Sequence, residues 1–323
     1  TELFVNDLSM FGLPSDPGTT HPTLAAVGKK YVVLNYGNGS APMYFQKTTG
    51  TKIGEVTLGA AKATGAVTSD DCGNMLICNL AKNGEKLEIY KTNDPTKAPE
   101  KIITYTNGLG VDIGARLHVY GDLNGNAVIT ATPSACQNAI RWIVRNGQVG
   151  EPENKQFNVG AWGDLDGIAK VASVDETGQK GAVCDYYADG DCQMFYFADW
   201  ATPTNLVSNP HWGYNPGAID VRGFNNCRYI ALFEMGYWPS WGLNGSIFIY
   251  DATNPTAVTG SNSGSSALKY TWAVTDGTAG AAAGGRFADV LLTPSEDGYF
   301  MYVFYVSNTH NTFAGLQTDC IKK

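Results

Sequence analysis

The 323-residue chain is poor in charge: Asp, Glu, Lys and Arg make up 16% of it, against roughly 25% in an average soluble protein. Its Lys and Arg never gather beyond the pairs Lys29-Lys30 and Lys322-Lys323, and the net charge is −8. A nucleic-acid partner is excluded on that ground, because phosphate backbones are gripped by basic stripes. No apolar run approaches the roughly 18 residues of a membrane span. Cysteines stand at 72, 78, 136, 184, 192, 227 and 320, with no C-x-x-C pair and no zinc spacing. They read as small core fillers. Cys184 and Cys192 flank one hairpin loop and form the one pair placed to bridge. His118, His211 and His310 are scattered, so neither a metal nor a cofactor is expected. A Gly-x-Ser-x-Gly nucleophile elbow is missing, as is the sialidase-type Ser-x-Asp-x-Gly-x-Thr-Trp turn. Asp185, Asp189 and Asp191 around Gly190 depart from EF-hand spacing and read as a hairpin turn.

Helical periodicity is also nearly absent, and what replaces it is strand grammar: short runs of Val, Ile, Tyr and Phe between clusters of turn residues. Gly alone accounts for 38 residues, and its clustering with Asn, Asp, Ser and Thr marks turns rather than disorder. One unit recurs, an apolar strand, a tight polar turn and a second, more hydrophobic strand. The copies are Thr23–Val27 with Tyr31–Asn35, Gly65–Thr68 with Met75–Asn79, and Leu117–Tyr120 with Ala127–Thr130. They continue as Ala169–Ser173 with Gly181–Asp185, Ala218–Arg222 with Tyr229–Phe233, and Ala288–Leu292 with Tyr299–Val306. The turn landmarks Gly28, Gly73, Gly125, Gly178, Asn225 and Gly298 are spaced by 45, 52, 53, 47 and 73 residues. The first four spacings are close to the roughly 40–50-residue period of a propeller blade. A Gly/Ser/Ala-rich insertion over about 260–285 stretches the fifth. Third strands such as Leu87–Lys91, Ile140–Arg145, Met194–Ala198 and Ser246–Asp251 follow, and an outer strand such as Lys101–Tyr105 completes a four-stranded blade.

The sequence therefore predicts an all-β, six-bladed β-propeller in one domain, with blades near 22–60, 61–107, 108–159, 160–210, 211–275 and 280–323. The last copy runs out of chain after its third strand. Glu2–Leu8 has no blade of its own, so it is expected to pair with the last blade and close the ring.

In such blades the turns between strands one and two, and three and four, share one face. The other face carries the loops between strands two and three and the links between blades. The first face is turn chemistry, as in Asp70–Asn74, Asp122–Asn126 and Asp175–Gly178, and calls for no functional explanation. On the second face the links carry Trp162, Trp212 and Tyr214, and the loop from Glu234 to Gly245 carries Tyr237, Trp238 and Trp241. Aromatic side chains gathered on loops of one face suggest a binding platform.

Flat rings beside polar groups suit sugars, because the rings cover the C–H face while the polar groups bond the hydroxyls. A glycan or oligosaccharide is the expected partner, with Asp112, Arg116 and Arg286 at the starts of inner strands as polar contacts. Asp164, Asp166 and Asp220 lie near the same ends, and these charges have the alternative role of pairing with one another around the channel. The rival function is glycoside hydrolysis or cleavage by a lyase. Hydrolysis needs two carboxylates about 5–10 Å apart, and Glu234 with Asp166 or Asp220 are the candidates. A protein-interaction scaffold is the third reading.

The stretches "KYVVLNYGNGSAPMYFQKTTGTKIGEV" and "TELFVNDLS", with the six-fold plan, resemble an uncharacterised family of six-bladed propellers exported by gut Bacteroidetes, many of them lipoproteins of polysaccharide-utilisation systems. The resemblance spans nearly the whole chain and rests on blade grammar. It implies export, a carbohydrate context and a lipid anchor on a removed N-terminus, and supplies no catalytic residues. The start at Thr1, without an apolar leader, fits a processed chain. A monomer at the cell surface or in the periplasm is expected.

Overall fold

The computed structural model describes residues 1–13, 21–134, 137–157, 169–188, 192–208, 214–236, 245–274, 287–308 and 310–318, and no α-helix occurs among them. The chain is a six-bladed β-propeller. After the N-terminal strand β1 (Glu2–Asp7), blade 1 is β2 (Thr23–Val27), β3 (Tyr31–Asn35), β4 (Met43–Gln46) and β5 (Lys52–Glu55). Blade 2 is β6 (Val67–Ser69), β7 (Met75–Cys78), β8 (Lys86–Thr92) and β9 (Glu100–Thr106). Blade 3 is β10 (Ile113–Gly121), β11 (Ala127–Pro133) and β12 (Asn138–Arg145), with β13 (Gln148–Val149) and β14 (Glu153–Gln156) sharing the outer edge. Blade 4 is β15 (Val171–Ser173), β16 (Ala182–Ala188) and β17 (Cys192–Phe197), edged by β18 (Thr204–Asn205) and β19 (Val207–Ser208). Blade 5 is β20 (Tyr214–Phe224), β21 (Cys227–Gly236), β22 (Ser246–Asp251) and β24 (Leu268–Ala273), with the short β23 (Gly260–Ser261) between the last two in sequence. Blade 6 is β25 (Ala288–Pro294), β26 (Met301–Ser307) and β27 (Thr312–Thr318), completed by β1.

Hydrophobicity falls outward from the axis, and the sequence sets that gradient. Inner strands such as β2 (TLAAV) are apolar after the leading Thr23 and buried at every position, as strands covered on both faces must be. Outer strands alternate, and β24 (LKYTWA) is half-buried at one position and exposed at the next. Six apolar clusters fill the spaces between blades, one for each neighbouring pair, including blade 6 against blade 1. Trp142 is the largest fully buried side chain and lies in the cluster between blades 2 and 3, edge-on to Tyr105.

Ring closure follows the expected route. β1 runs antiparallel to β27, from Glu2 opposite Leu316 to Asp7 opposite Thr312. The closure reaches beyond the ladder, because Asn311 Nδ2 donates to Asp7 Oδ1 at 2.7 Å and Asn6 Nδ2 donates to Gly50 O of blade 1 at 2.9 Å. Phe4 is the anchor. Its ring packs on Phe304 and Phe313, and it fills the space that a Cβ at Gly50 or Gly315 would need. Phe4→Ala is expected to cost about 3–5 kcal/mol, the usual range for a buried Phe, read as a fall in the urea midpoint without a change in slope.

Candidate functional site

Every inner strand presents one backbone edge to the central channel, and in a buried setting those N–H groups need acceptors. Neighbouring blades supply them. Leu24 N donates to Asp289 Oδ2 at 2.8 Å, and Leu292 N donates to Asp220 Oδ2 at 2.7 Å. Ala26 N donates to Ser69 Oγ, Val67 N to Thr23 Oγ1 and Val171 N to Thr132 Oγ1. The two aspartates thus serve backbone and charge together. Asp289 also accepts from Lys170 Nζ, and it lies 4.0 Å from Arg116 Nη1. Asp220 accepts from Arg222 Nε at 3.0 Å and pairs with His118 Nε2 at 2.9 Å. Arg222 in turn reaches Val119 O at 2.8 Å and Asp71 Oδ1 at 3.5 Å.

Burial decides the protonation states. It holds His118 down at about 4, against the pull of Asp220. The imidazole is therefore neutral at pH 7, donating from Nε2, while its Nδ1 has no partner among the described residues. Burial alone would raise Asp220, but Arg222 and His118 outweigh it and keep the carboxyl at about 2. A carboxylate ionised that firmly is a structural acceptor and a poor proton donor.

Two of the expected site residues, Arg116 and Asp220, thus lie in the channel and are spent on ion pairs there. Asp112 is half-buried where the chain enters β10, and its carbonyl accepts from Ser134 N at 2.8 Å. Tyr214 opens β20 opposite Gly236. Trp162, Asp164, Asp166, Trp212, Tyr237, Trp238, Trp241 and Arg286 lie outside the described residues. The ends of the strands they connect are described, and these all emerge on the face of the inter-blade links. At that mouth His21 stands edge-on to Phe287, with ring centroids 4.0 Å apart. Phe287 packs with Ala115 and Leu80. Burial, helped by the charge of Arg116, lowers His21 to about 4.

The profile of a family described as a domain of unknown function, DUF8500, matches residues 2–319. The chain belongs to the DUF8500 family. No curated protein matches it. Among solved structures it is similar to a DUF4623 family protein from Bacteroides eggerthii, with 15% identity and a TM-score of 0.65 over 99% of this chain and 76% of that one. A protein of unknown function from Bacteroides thetaiotaomicron aligns with 11% identity and a TM-score of 0.54, over 98% and 72% of the two chains. The α-L-arabinofuranosidase Arb93A from Fusarium graminearum aligns with 11% identity and a TM-score of 0.52, over 96% and 97%. At these identities the likeness is one of fold.

Glu234, the expected acid of the hydrolytic reading, lies on β21 of this DUF8500 chain, opposite Ser246, and is buried. Its Oε2 accepts from Asn262 Nδ2, and Tyr250 Oη donates to Asn262 O at 3.0 Å. The carboxylate therefore ties the segment around β23 to blade 5. Cys184 pairs across its hairpin with Phe195 and Cys192 with Ala188. Cys184 and the partner position of Cys192 are then about 13 Å apart along β16, too far for a bridge. No cluster of His, Cys, Asp and Glu fit to hold a metal occurs among the described residues, and no helix there is long and apolar enough to cross a membrane.

Sequence reading missed Asp289 and Lys170, and passed over the pairing of His118 with Asp220. The available signal was the alternation Arg116-x-His118 and Asp220-x-Arg222 on otherwise apolar inner strands, which turns both charged groups to one side.

The neutral, buried His118 makes stability depend on pH. An unfolded imidazole takes its proton near 6.5 and the folded one resists until about 4. Acidification through that window therefore makes His118 favour the unfolded state by about 1.4 kcal/mol per pH unit, as His21 does, while the raised Asp71 acts in the opposite sense. Asp220 adds a further loss below about pH 4. His118→Gln, which keeps a donor for Asp220, should remove about 1.4 kcal/mol per pH unit of acid destabilisation from the window between about 6.5 and about 4, leaving the contributions of His21 and Asp71 there and of Asp220 below it, as read from urea midpoints between about pH 7 and about pH 3.

Proposed function

We propose that the protein is an exported, non-catalytic glycan-binding propeller that holds its ligand on the face of the inter-blade links. One observation carries this reading. The described strand ends that flank 158–168, 209–213 and 237–244, the stretches whose sequence contains Trp162, Trp212, Trp238 and Trp241, lie on the face of the inter-blade links, which supports this reading. The remaining three Trp residues have structural roles. Trp142 is core, and Trp200 is buried, with its indole N–H donating to Gly178 O at 2.9 Å and Arg141 stacked over its ring. Trp272 stacks on Tyr270 along the outer strand of blade 5. The other four Trp residues fall in connecting segments of one face, and aromatic side chains gathered on such loops support a binding role. Aromatic rings together with polar groups suit a sugar.

Binding is favoured over hydrolysis because the two described carboxylates proposed as an acid–base pair have other work. Asp220 accepts from the channel donors, and Glu234 holds Asn262. The propeller fold does accommodate sugar chemistry in the Fusarium arabinofuranosidase, whose structure contains an iminosugar inhibitor. A polysaccharide-utilisation setting at the cell surface or in the periplasm follows as part of the same proposal.

Affinity electrophoresis through gels containing soluble polysaccharides tests it. The variant Trp238→Ala/Trp241→Ala should lose about tenfold or more in affinity, since each stacked ring contributes on the order of 1 kcal/mol. Equal retardation of both proteins removes the site. Release of reducing ends that disappears in Glu234→Gln would replace binding by hydrolysis.

A further inference from the structure

The opposite mouth of the channel holds a feature that turn chemistry does not explain. The short turns between the first and second strands of blades 2 to 5 surround a depression of about 850 Å³, within the roughly 300–1,000 Å³ of small-molecule sites. Its floor is Gly223. A Cβ placed there would lie 3.2 Å from Tyr120 Oη and 3.8 Å from Asp71 Oδ2, so a phenol hydroxyl and a carboxylate oxygen converge on the space the missing side chain leaves. Gly223 does not have a positive φ. Its conformation therefore does not demand glycine.

Around that floor, donors and acceptors alternate. Beneath Asp71 lies Arg222, almost fully buried, whose Nη2 has no partner among the described residues. Arg228 lines the wall with its guanidinium 5.9 Å from the centre of the Tyr120 ring, and its Nε likewise lacks a partner among the described residues. Phe224 supplies a second ring. Burial, with Asp70 and Asp220 nearby, outweighs Arg222 and lifts Asp71 to about 7, so near neutrality its carboxyl both donates and accepts.

We propose that this mouth is a second saccharide site, taking a short neutral oligosaccharide, and that it works independently of the Trp-bearing face. A polyanion would meet Asp71, Asp122 and Glu176, and a polycation would meet Lys180 and Arg228, because all five line the depression. A neutral polyol meets no repulsion. Each of its hydroxyls both gives and takes a hydrogen bond, as the mixed lining requires, and Tyr120 and Phe224 offer faces to its C–H surface.

The test uses maltotetraose, cellotetraose and mannotetraose as probes, with saturation-transfer NMR on the wild type, on Trp238→Ala/Trp241→Ala, and on that double variant carrying Gly223→Leu or Asp71→Asn. Transfer to at least one probe should persist in the double variant and fall at least fivefold when either turn-face substitution is added. Asp71→Asn keeps the shape of the floor and decides the matter alone if Gly223→Leu lowers the melting temperature. A second readout is Cys72, an exposed thiol on the rim, whose alkylation a bound saccharide should slow. No transfer from the wild type to any probe, transfer indifferent to both turn-face substitutions, or alkylation of Cys72 unchanged by saturating saccharide would each overturn the proposal. Loss of binding in the Trp variant alone would leave the link face standing and this mouth refuted.

Discussion

Six inner strands bring six open backbone edges into one narrow space, and the rest of the structure answers that constraint. Burying a single unpaired N–H costs about 1–3 kcal/mol, so open edges at this density would strip a blade of much of its stability. Asp289 and Asp220 meet the demand in the same way on successive blades. Each accepts the amide of the next inner strand, from Leu24 and Leu292, and each is balanced by a cation, Lys170 or Arg222. The ion pairs themselves contribute little net stability, since their desolvation consumes most of the Coulomb gain. Their value lies in register: an aspartate that must find one amide and one cation fixes how far each blade slides along its neighbour.

The ion pairs of Asp289 and Asp220 lie within the channel, and both proposed recognition sites lie at its mouths. The mouths differ because the connections differ. Tight turns such as 223–228 have no length to cover the axis and leave a polar recess floored by Gly223 and Asp71. The inter-blade links and the loop between the second and third strands of blade 5 carry Trp162, Trp212, Trp238 and Trp241 in the sequence. Asp71 joins the two zones, since it lines the recess while touching Arg222 of the channel network.

The blade plan was legible in the sequence because it is written in local patterns: an apolar inner strand, a Gly or Asn turn, a second apolar strand. The role of β1 was legible for a related reason, as a strand left without a blade has one open edge to find. The channel network was hidden because its contacts join residues far apart in the chain, such as Lys170 to Asp289 and His118 to Asp220. Composition does not separate a charged residue that faces a ligand from one that faces another blade. The same limit applied to Glu234, whose partner Asn262 lies inside the insertion. It applied equally to the turn-face recess, which no single turn encodes and which appears only where four blades converge.

The long fifth spacing has a physical reason in this framework. Blade 4 is edged by two fragments of two residues each, β18 and β19, which leave its outer rim poorly covered. An incomplete edge invites pairing with another chain. The extra length of blade 5 supplies β23, which runs parallel to β19 with Val207 opposite Gly260 and Ser208 opposite Ser261. Tyr250 and Glu234 then hold Asn262, one residue beyond β23. The insertion thus protects a neighbour's edge as well as lengthening its own blade, and a buried carboxylate is retained there because the clasp depends on it.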